Sequence, residues 1–380
     1  MRILHTSDWH IGRQFHNVSL IDDQQFILDE LIRIANEKTV DVIIVSGDIY
    51  DRSVPPAEAI RLLNHIVERI YHELKIPLIM SSGNHDGATR IGFASTPLSE
   101  SGIHIIGELS EDIHPIILND SHGEVAFYAV PYAEPVVVRD VLGVDVHSHE
   151  AAMKVITDRI KTDNGKDRRC VVMCHCFIDG SKSSDSERQL SSVGGVDKVP
   201  YKLFSDFNYT ALGHLHAPQH QGLETIRYSG SILKYSFSEV TQKKSVTLVE
   251  MDASGDCVIE KVPLVAKRDM RIIEGTLENI LEKAKTDPLA DDYLLVRLLD
   301  THALYEPMAK LRQYYPNVLQ LEKPNLAIGG ERHAFKKENL LKGEMPMFVD
   351  FFKQMTDAEL TPEEESMIGG LLDEIHKGGE

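Results

Sequence analysis

The sequence predicts an α/β fold, on three observations. Short apolar runs alternate with amphipathic stretches through the first 130 residues, strand-like runs crowd together after Arg168, and a second strand–helix series starts near Lys267.

The first series contains the apolar runs Arg2–Thr6, Asp41–Ser46, Ile76–Ser81 and Glu124–Val130. Between them Phe26, Ile27, Leu31 and Ile34 recur at helical spacing, as do Leu63, Ile66, Val67 and Ile70. Pro55-Pro56 stands where the second of these helices can begin, because Pro is tolerated at the first helical position. After Arg168 the strand runs are Arg169–Cys176, Tyr209–Leu212, Thr225–Tyr228, Ser245–Asp252 and Cys257–Leu264, with Ser254-Gly255-Asp256 as a hairpin turn. From Lys267 the expected order is strand (Arg271–Leu277), helix (Leu277–Lys285), strand (Tyr293–Leu299), helix (Tyr305–Tyr314) and strand (Val318–Glu322). Three regions result: 1–264, a small α/β unit over 265–330, and an acidic helical segment over 331–380.

In that last segment Phe348, Val349, Phe352 and Met355 make one apolar stripe, and Met367, Ile368, Leu371, Leu372 and Ile375 make another. Thr361-Pro362 followed by Glu363, Glu364 and Glu365 is a helix start, with a cap, a Pro at N1 and acids that suit the dipole. Gly369-Gly370 costs this helix roughly 2 kcal/mol relative to two alanines. A helix so short is marginal in water, so its stripe needs a surface, on its own chain or in a partner's groove.

Composition narrows the class. The chain has 380 residues and a mass of 42.7 kDa, too long for one ordinary core. Hydrophobic residues make up 42% and charged residues 26%, as in globular proteins. No apolar run approaches a membrane span, and the opening MRILHTSDWH turns polar at His5 without a signal-peptide core. Four cysteines fit a reducing cytoplasm better than a disulfide scaffold. The net charge of −19 is opposite to the footprint of a protein that grips nucleic acid unaided. Either the substrate is no polyanion, or bound cations and a partner supply positive charge.

Several strand runs end in metal-type ligands. Asp8-Trp9-His10 follows the first, Gly47-Asp48-Ile49-Tyr50-Asp51 the second and Gly83-Asn84-His85-Asp86 the third; Cys174-His175-Cys176 and Gly213-His214-Leu215-His216 come later. Ligand sites in α/β sheets form outside the carboxyl ends of strands, so these ends can converge. Mixed Asp, Asn and His donors suit borderline or hard divalent ions. Asp48 can bridge two of them, and the preceding glycines let the backbone turn tightly. His147-Ser148-His149 also spells H-x-H, and each short motif alone is weak.

In that order, D-x-H, G-D-x-x-D, G-N-H-D, a lone His and G-H-x-H resemble the calcineurin-like metallophosphoesterase superfamily. Ser183–Arg188, Ala211–His216 and Tyr228–Glu239 are similar, within it, to the SbcD family of bacterial nuclease subunits. The similarity covers residues 1 to about 264 well; the later regions match in size, order and position only.

The resemblance implies a four-layer α/β/β/α sandwich with a small α/β capping domain (265–330) and C-terminal helices (331–380) that bind a partner. It implies two divalent ions, Mn²⁺ or else Mg²⁺. Asp8, His10, Asp48 and His216 would hold one, and Asp48, Asn84, His175 and His214 the other. His85 would be the catalytic histidine that holds no metal, positioned by Asp86. Archaeal and eukaryotic relatives carry a histidine at position 51, linked to exonuclease action; Asp51 cannot act as an imidazolium, so a supporting role or a helix cap is expected. The implied activities are ATP-dependent 3′→5′ exonuclease on duplex DNA and single-strand or hairpin endonuclease, in repair, recombination and replication. The implied assembly is a nuclease homodimer beneath the SMC-like ATPase SbcC, a cytoplasmic heterotetramer acting on DNA ends, hairpins and single strands.

Two other classes compete. A small-molecule phosphoesterase with the same metal core would need neither the unit after Lys267 nor the tail. A non-catalytic DNA-end scaffold would not need an intact ligand set and His85. Cys170, Val172, Cys174 and Cys176 share one strand face and His175 the other, so the cysteines are expected as core residues. Trp9 is expected in the core. Gln14-Phe15-His16 extends the site rim. Arg13, Arg52, Arg90, Lys182 and Lys234 lie near the motif loops and are candidates for phosphate contact, although surface charge is the commoner role for each.

Overall fold

The apolar runs at the start of the chain are buried on both faces and pair in parallel, as strands under helical connections do. In the computed structural model, Arg2–Thr6 pairs with Val42–Ser46, which pairs with Leu78–Ser81, which pairs with Ile103–Ile106. On the other side, Ser245–Met251 pairs antiparallel with Arg2–Thr6, and Cys257–Pro263 pairs antiparallel outside it, completing a six-stranded sheet. The expected turn joins these last two strands: Gly255 takes φ +89°, and the Asp252 carboxylate accepts from the Ser254 and Asp256 N–H groups.

A second six-stranded sheet runs in the order Gln219–Gln221, Leu223–Tyr228, Tyr209–Gly213, Arg169–His175, Gly123–Ala129, Ile116–Asp120. Its middle four strands are parallel and its two edges antiparallel. Alternation along the strands decides the layers. Ile3, Val42, Ile44 and Ile79 of the first sheet meet Val125, Phe127, Val171, Met173 and Ala211 of the second in one dry core. Cys170, Val172, Cys174 and Cys176 face away, into a core shared with Val138 and Leu142 of the helix Pro135–Leu142 and Ile156 and Ile160 of His149–Asn164. On the first sheet's outer side Leu4, Ile43 and Val45 are fully buried, and the helices Ile21–Glu37 and Ala57–Arg69 bury Ile27, Leu31, Leu63 and Ile66. The architecture is the four-layer α/β/β/α sandwich.

Some details depart from the sequence reading. The helix after Pro55-Pro56 begins at Ala57 with Pro56 as its cap. Ser148 of the H-x-H decoy caps His149–Asn164, its side chain accepting from the Ala151 N–H. The strands Ile103–Ile106 and Ile116–Asp120 and the helices Pro135–Leu142 and His149–Asn164 are absent from the sequence reading, although Pro135 stands at a first helical position. Trp9 is fully buried, with its Nε1–H donating to Thr6 Oγ1 at 2.9 Å.

The structure describes residues 1–165, 168–187, 198–302, 304–326, 344–356 and 359–377. These form two compact units, Met1–Asp269 and Met270–Glu380. In the second, Met270–Gly275, Tyr293–Leu298 and Val318–Glu322 make a three-stranded parallel sheet. Leu277 and Ile280 of the helix Leu277–Ala284, with Leu311 of Pro307–Arg312, pack on Leu294, Val296 and Leu298. The helices Glu344–Thr356 and Pro362–Lys377 pack on one another. Thr361 and Glu364 form a reciprocal capping box, each side chain accepting from the other's N–H.

Candidate metal centre

The strand ends place the donors. Asp8 lies two residues beyond Arg2–Thr6, Asp48 two beyond Val42–Ser46, and Asn84 three beyond Leu78–Ser81. From the second sheet, His175 closes Arg169–His175 and His214 directly follows Tyr209–Gly213. His175 points between the sheets because it shares the parity of Val171 and Met173, and its Nδ1 meets the Ser46 carbonyl at 3.0 Å. The two sheets therefore present their carboxyl ends to one buried spot.

Close approach there explains two of the glycines. A Cβ on Gly213 would sit 1.7 Å from the Ser46 carbonyl oxygen, and one on Gly83 would sit 2.2 Å from Asp48 Oδ1. At these two positions the requirement is space, not an unusual turn. The unusual turns fall on the donors themselves: Asp8, His10, Asp48 and His214 have φ of +52°, +46°, +50° and +105°. Such backbone is strained for side-chain-bearing residues and concentrates at functional sites.

Three groups of donor atoms lie within 4.8 Å of one another: Asp8, His10 and His216; Asp48, His175 and His214; and His10, Asp51 and His85. Asp48 Oδ2 is 3.6 Å from His10 Nε2 and 3.4 Å from His175 Nε2, so it stands between the first two groups. Asn84 Oδ1 joins the second, 2.9 Å from His175 Nε2 and 3.3 Å from His214 Nδ1. The Asp8 carboxylate accepts from Ser7 Oγ at 2.5 Å and from the His214 N–H at 2.9 Å.

The charges of this cluster call for a cation. Burial would raise the Asp48 carboxyl, but the adjacent His175 imidazolium outweighs it and holds Asp48 well below the usual carboxylate range. Burial likewise would lower His175, but the Asp48 carboxylate pushes it up to about 10. Burial pushes Asp8 up to about 6 and holds His10 and His214 well below the ordinary imidazole value. His10 Nε2 and His216 Nε2 face each other at 3.1 Å, while the buried His10 Nδ1 has no hydrogen-bond partner among the described residues. A proton on His175 is thus the stand-in for positive charge among fully buried carboxylates. Divalent metal ions fit this donor set, and the third group reads differently: His85 Nδ1 already donates to the Asp51 carbonyl at 2.9 Å.

That bond corrects the expected role of Asp86. Its carboxylate accepts from three backbone N–H groups, of Gly83, Ile49 and Tyr50, and so ties the second strand-end loop to the third. The His85 ring is held instead by the Asp51 carbonyl, and the His85 N–H donates to Asp48 Oδ1 at 2.9 Å. Asp51 caps no helix; Arg13 Nη1 holds its carboxylate at 2.9 Å, 3.6 Å from His10 Nδ1. Among the basic candidates, Arg13 is thereby engaged within the chain and lies over the Tyr235 ring. Lys234 is bonded to Asp269 and the Val240 carbonyl; Arg90 and Lys182 are exposed, as is Arg52, whose Nε lies 3.6 Å from Asp51 Oδ2.

The sequence reading assigns no role to Ser186, Glu187, Glu239 or Lys244, which gather behind His216. Ser186, Glu187 and Glu239 stand inside two of the motifs quoted above, which was the available signal. Arg188 of the same motif lies outside the described residues.

Fold and site together define a metal-dependent phosphoesterase. The chain belongs to the calcineurin-like phosphoesterase family, whose profile matches residues 1–222. Within it the chain groups with SbcD: it is 33% identical, over 373 residues and 98% of both chains, to the D subunit of the nuclease SbcCD from Staphylococcus epidermidis. Residues 266–356 match the type 5 capsule protein repressor C-terminal domain. Solved structures that match part of the chain include a dimetal phosphatase from Danio rerio (8% identity, 70% of this chain, 96% of that one, TM-score 0.44). Another is a protein of Thermus thermophilus (12% identity, 68% and 98%, TM-score 0.38).

Proposed function

We propose that the chain is the nuclease subunit of an SbcCD-type complex, a hydrolase of phosphodiester bonds in DNA. The observation that carries this reading is the convergence of buried Asp and His donors, with the half-buried Asn84 beside them, on one spot in a chain akin to a nuclease subunit over 98% of its length. Asp8, His10, Asp48 and His216 would hold one ion, and Asp48, Asn84, His175 and His214 the other, with Mn²⁺ as the favoured metal and Mg²⁺ as the alternative. Bound there, divalent ions supply Lewis-acid polarisation of phosphoryl oxygens and a nucleophile from water at neutral pH.

The protein's own part is orientation and proton handling. His175 is fixed through Nδ1 on the Ser46 carbonyl, which aims Nε2 at the centre. His85 keeps its proton on Nδ1 towards the Asp51 carbonyl, leaving Nε2 to exchange a proton with the leaving oxygen, a role typically worth about 10²–10⁴-fold. Arg52, Arg90 and Lys182 are the exposed cations that could meet phosphates.

The acidic chain gains grip on DNA from its ions and from an SbcC-like ATPase, in a heterotetramer built on a nuclease dimer in the cytoplasm. Among the described residues no helix is long and apolar enough to cross a membrane. Met367 and Leu371 stay exposed on Pro362–Lys377, which supports docking of this helix in a partner's groove. In this reading the complex is an ATP-dependent 3′→5′ exonuclease on duplex ends, and the chain alone opens hairpins and cuts single strands.

The test is digestion of duplex, hairpin and single-stranded DNA, with cyclic AMP and bis-p-nitrophenyl phosphate in parallel, under Mn²⁺ or Mg²⁺. His85→Ala should abolish cleavage and keep two ions. Hydrolysis of the small esters without any DNA cleavage would refute the nuclease reading.

A further inference from the structure

His216 is held from behind by residues from three separate stretches of chain. Its Nδ1 lies 2.6 Å from Ser186 Oγ, which in turn touches Glu239 Oε1. Glu239 is fully buried and its other oxygen accepts from Lys244 Nζ at 2.5 Å. The His216 carbonyl and Ser231 Oγ, both at 2.8 Å, and Gln242 Oε1 at 2.7 Å also surround Lys244 Nζ, whose three protons are shared among these four acceptors. The His216 N–H donates to Glu187 Oε1 at 2.8 Å.

We propose that Ser186, Glu239 and Lys244 form a positioning relay that locks His216 in the one tautomer able to offer Nε2 to a metal ion. The proposal rests on the metal-centre reading above and deepens it. Counting protons carries the argument. An ammonium has only donors, so Lys244 requires acceptors on every side and Glu239 meets it as a carboxylate. A carboxylate has no proton to give, so the single Ser186 hydroxyl proton lies towards Glu239. The Ser186 oxygen can then only accept from His216, and Nδ1 carries the imidazole proton. His216 Nε2 is left with its lone pair, facing His10 Nε2 at 3.1 Å.

Local structure builds the relay. Phe237–Glu239 is a short helical turn whose N-cap, Ser236, accepts from the Ser238 N–H, and this turn delivers Glu239 inward. Ser238 Oγ accepts from the Asp185 N–H at 3.1 Å, which pins the loop bearing Ser186 against the same turn. Lys244 immediately precedes the strand Ser245–Met251 and is fixed by it. Metal-ligating imidazoles are usually oriented by a carboxylate, carbonyl or water on the second ring nitrogen, and loss of such a partner typically costs about 10–100-fold in metal affinity; here the Ser186 hydroxyl stands between the ring and the carboxylate.

The experiment is Mn²⁺ titration of the full chain, followed by calorimetry and by the spin-resonance signal of free Mn²⁺, with thermal melting of the metal-free protein. The variants are Ser186→Ala, Glu239→Gln and the double variant Glu239→Gln/Lys244→Met, in which no unpaired charge is left in the interior. Each should weaken one of two Mn²⁺ ions by about 10–100-fold and leave the other at wild-type affinity, as His216→Ala does more severely. The double variant should regain the melting temperature lost in Glu239→Gln without regaining the ion. Wild-type affinity for both ions in Ser186→Ala and in the double variant would overturn the relay. So would equal weakening of both ions in a variant that melts like wild type. If instead Asp48→Ala binds two ions as wild type does, the metal-centre reading itself has failed.

Discussion

Loading the centre with metal should expel a proton from His175, and the pH dependence follows from the structure. Metal binding needs every donor atom deprotonated. In the metal-free chain the Asp48 carboxylate holds His175 up to about 10, so at pH 8 this imidazole carries essentially one full proton. Asp8, pushed up to about 6 by burial, is ionised at pH 8 and half protonated at pH 6. His10 and His214 are already neutral at both. These donors together should therefore release about one proton per chain at pH 8 and about 1.5 at pH 6. The logarithm of the affinity should rise by about one for each pH unit between roughly 7 and 9 and level off above about 10. The same pairing stabilises the metal-free fold fully below pH 6.5 and is lost as pH rises through about 10, because the folded value is raised. Calorimetry of Mn²⁺ binding in buffers of different ionisation enthalpy counts the protons. The comparison with His175→Asn cancels any proton lost from water. Equal proton release by the two chains at pH 8 would refute the reasoning.

Three further outcomes are expected. Asp48→Ala should lose both ions, whereas His10→Ala should weaken mainly one, as elemental analysis of the dialysed proteins will show; equal losses would remove Asp48 from its bridging role. Gly213→Ala should destabilise by about 3 kcal/mol, at the upper end of overpacking costs, because the atom 1.7 Å from the new Cβ is the Ser46 backbone oxygen and cannot swing away; a melting temperature within about 2 °C of wild type, taking about 2–4 °C per kcal/mol, would contradict this. Asp120→Asn should cost about 3–5 kcal/mol at pH 7, since it leaves the buried Arg169 guanidinium without the carboxylate it grips at 2.6 and 2.9 Å. Arg169 holds the Asp120 carboxyl below its ordinary 3.8, so this stabilisation is present above that value and fades as pH falls, and denaturant melts should show the gap from wild type closing in acid.

Much of this protein is written locally. The apolar runs, their helical intervals and the donors at their ends follow from periodicity and from short motifs, because a buried parallel strand must be apolar and its carboxyl end is where the chain becomes polar. Strand parity even assigns opposite faces to Cys174 and His175. What the sequence could not decide is which atoms meet across the two sheets. Asp86 follows His85 directly, so proximity in sequence makes it the apparent partner; in the fold its carboxylate is taken up by three backbone N–H groups, and the Asp51 carbonyl holds the imidazole. Arg13 and Lys234 look like free cations beside the motifs until folding brings Asp51 and Asp269 to them. Glu239 and Lys244 lie 23 and 28 residues from His216, and no local pattern links them. Hydrogen bonds are specified by distances of a few tenths of an ångström between groups far apart in the chain. A one-dimensional pattern carries the type of each residue and its face, but only the closed sandwich fixes those distances.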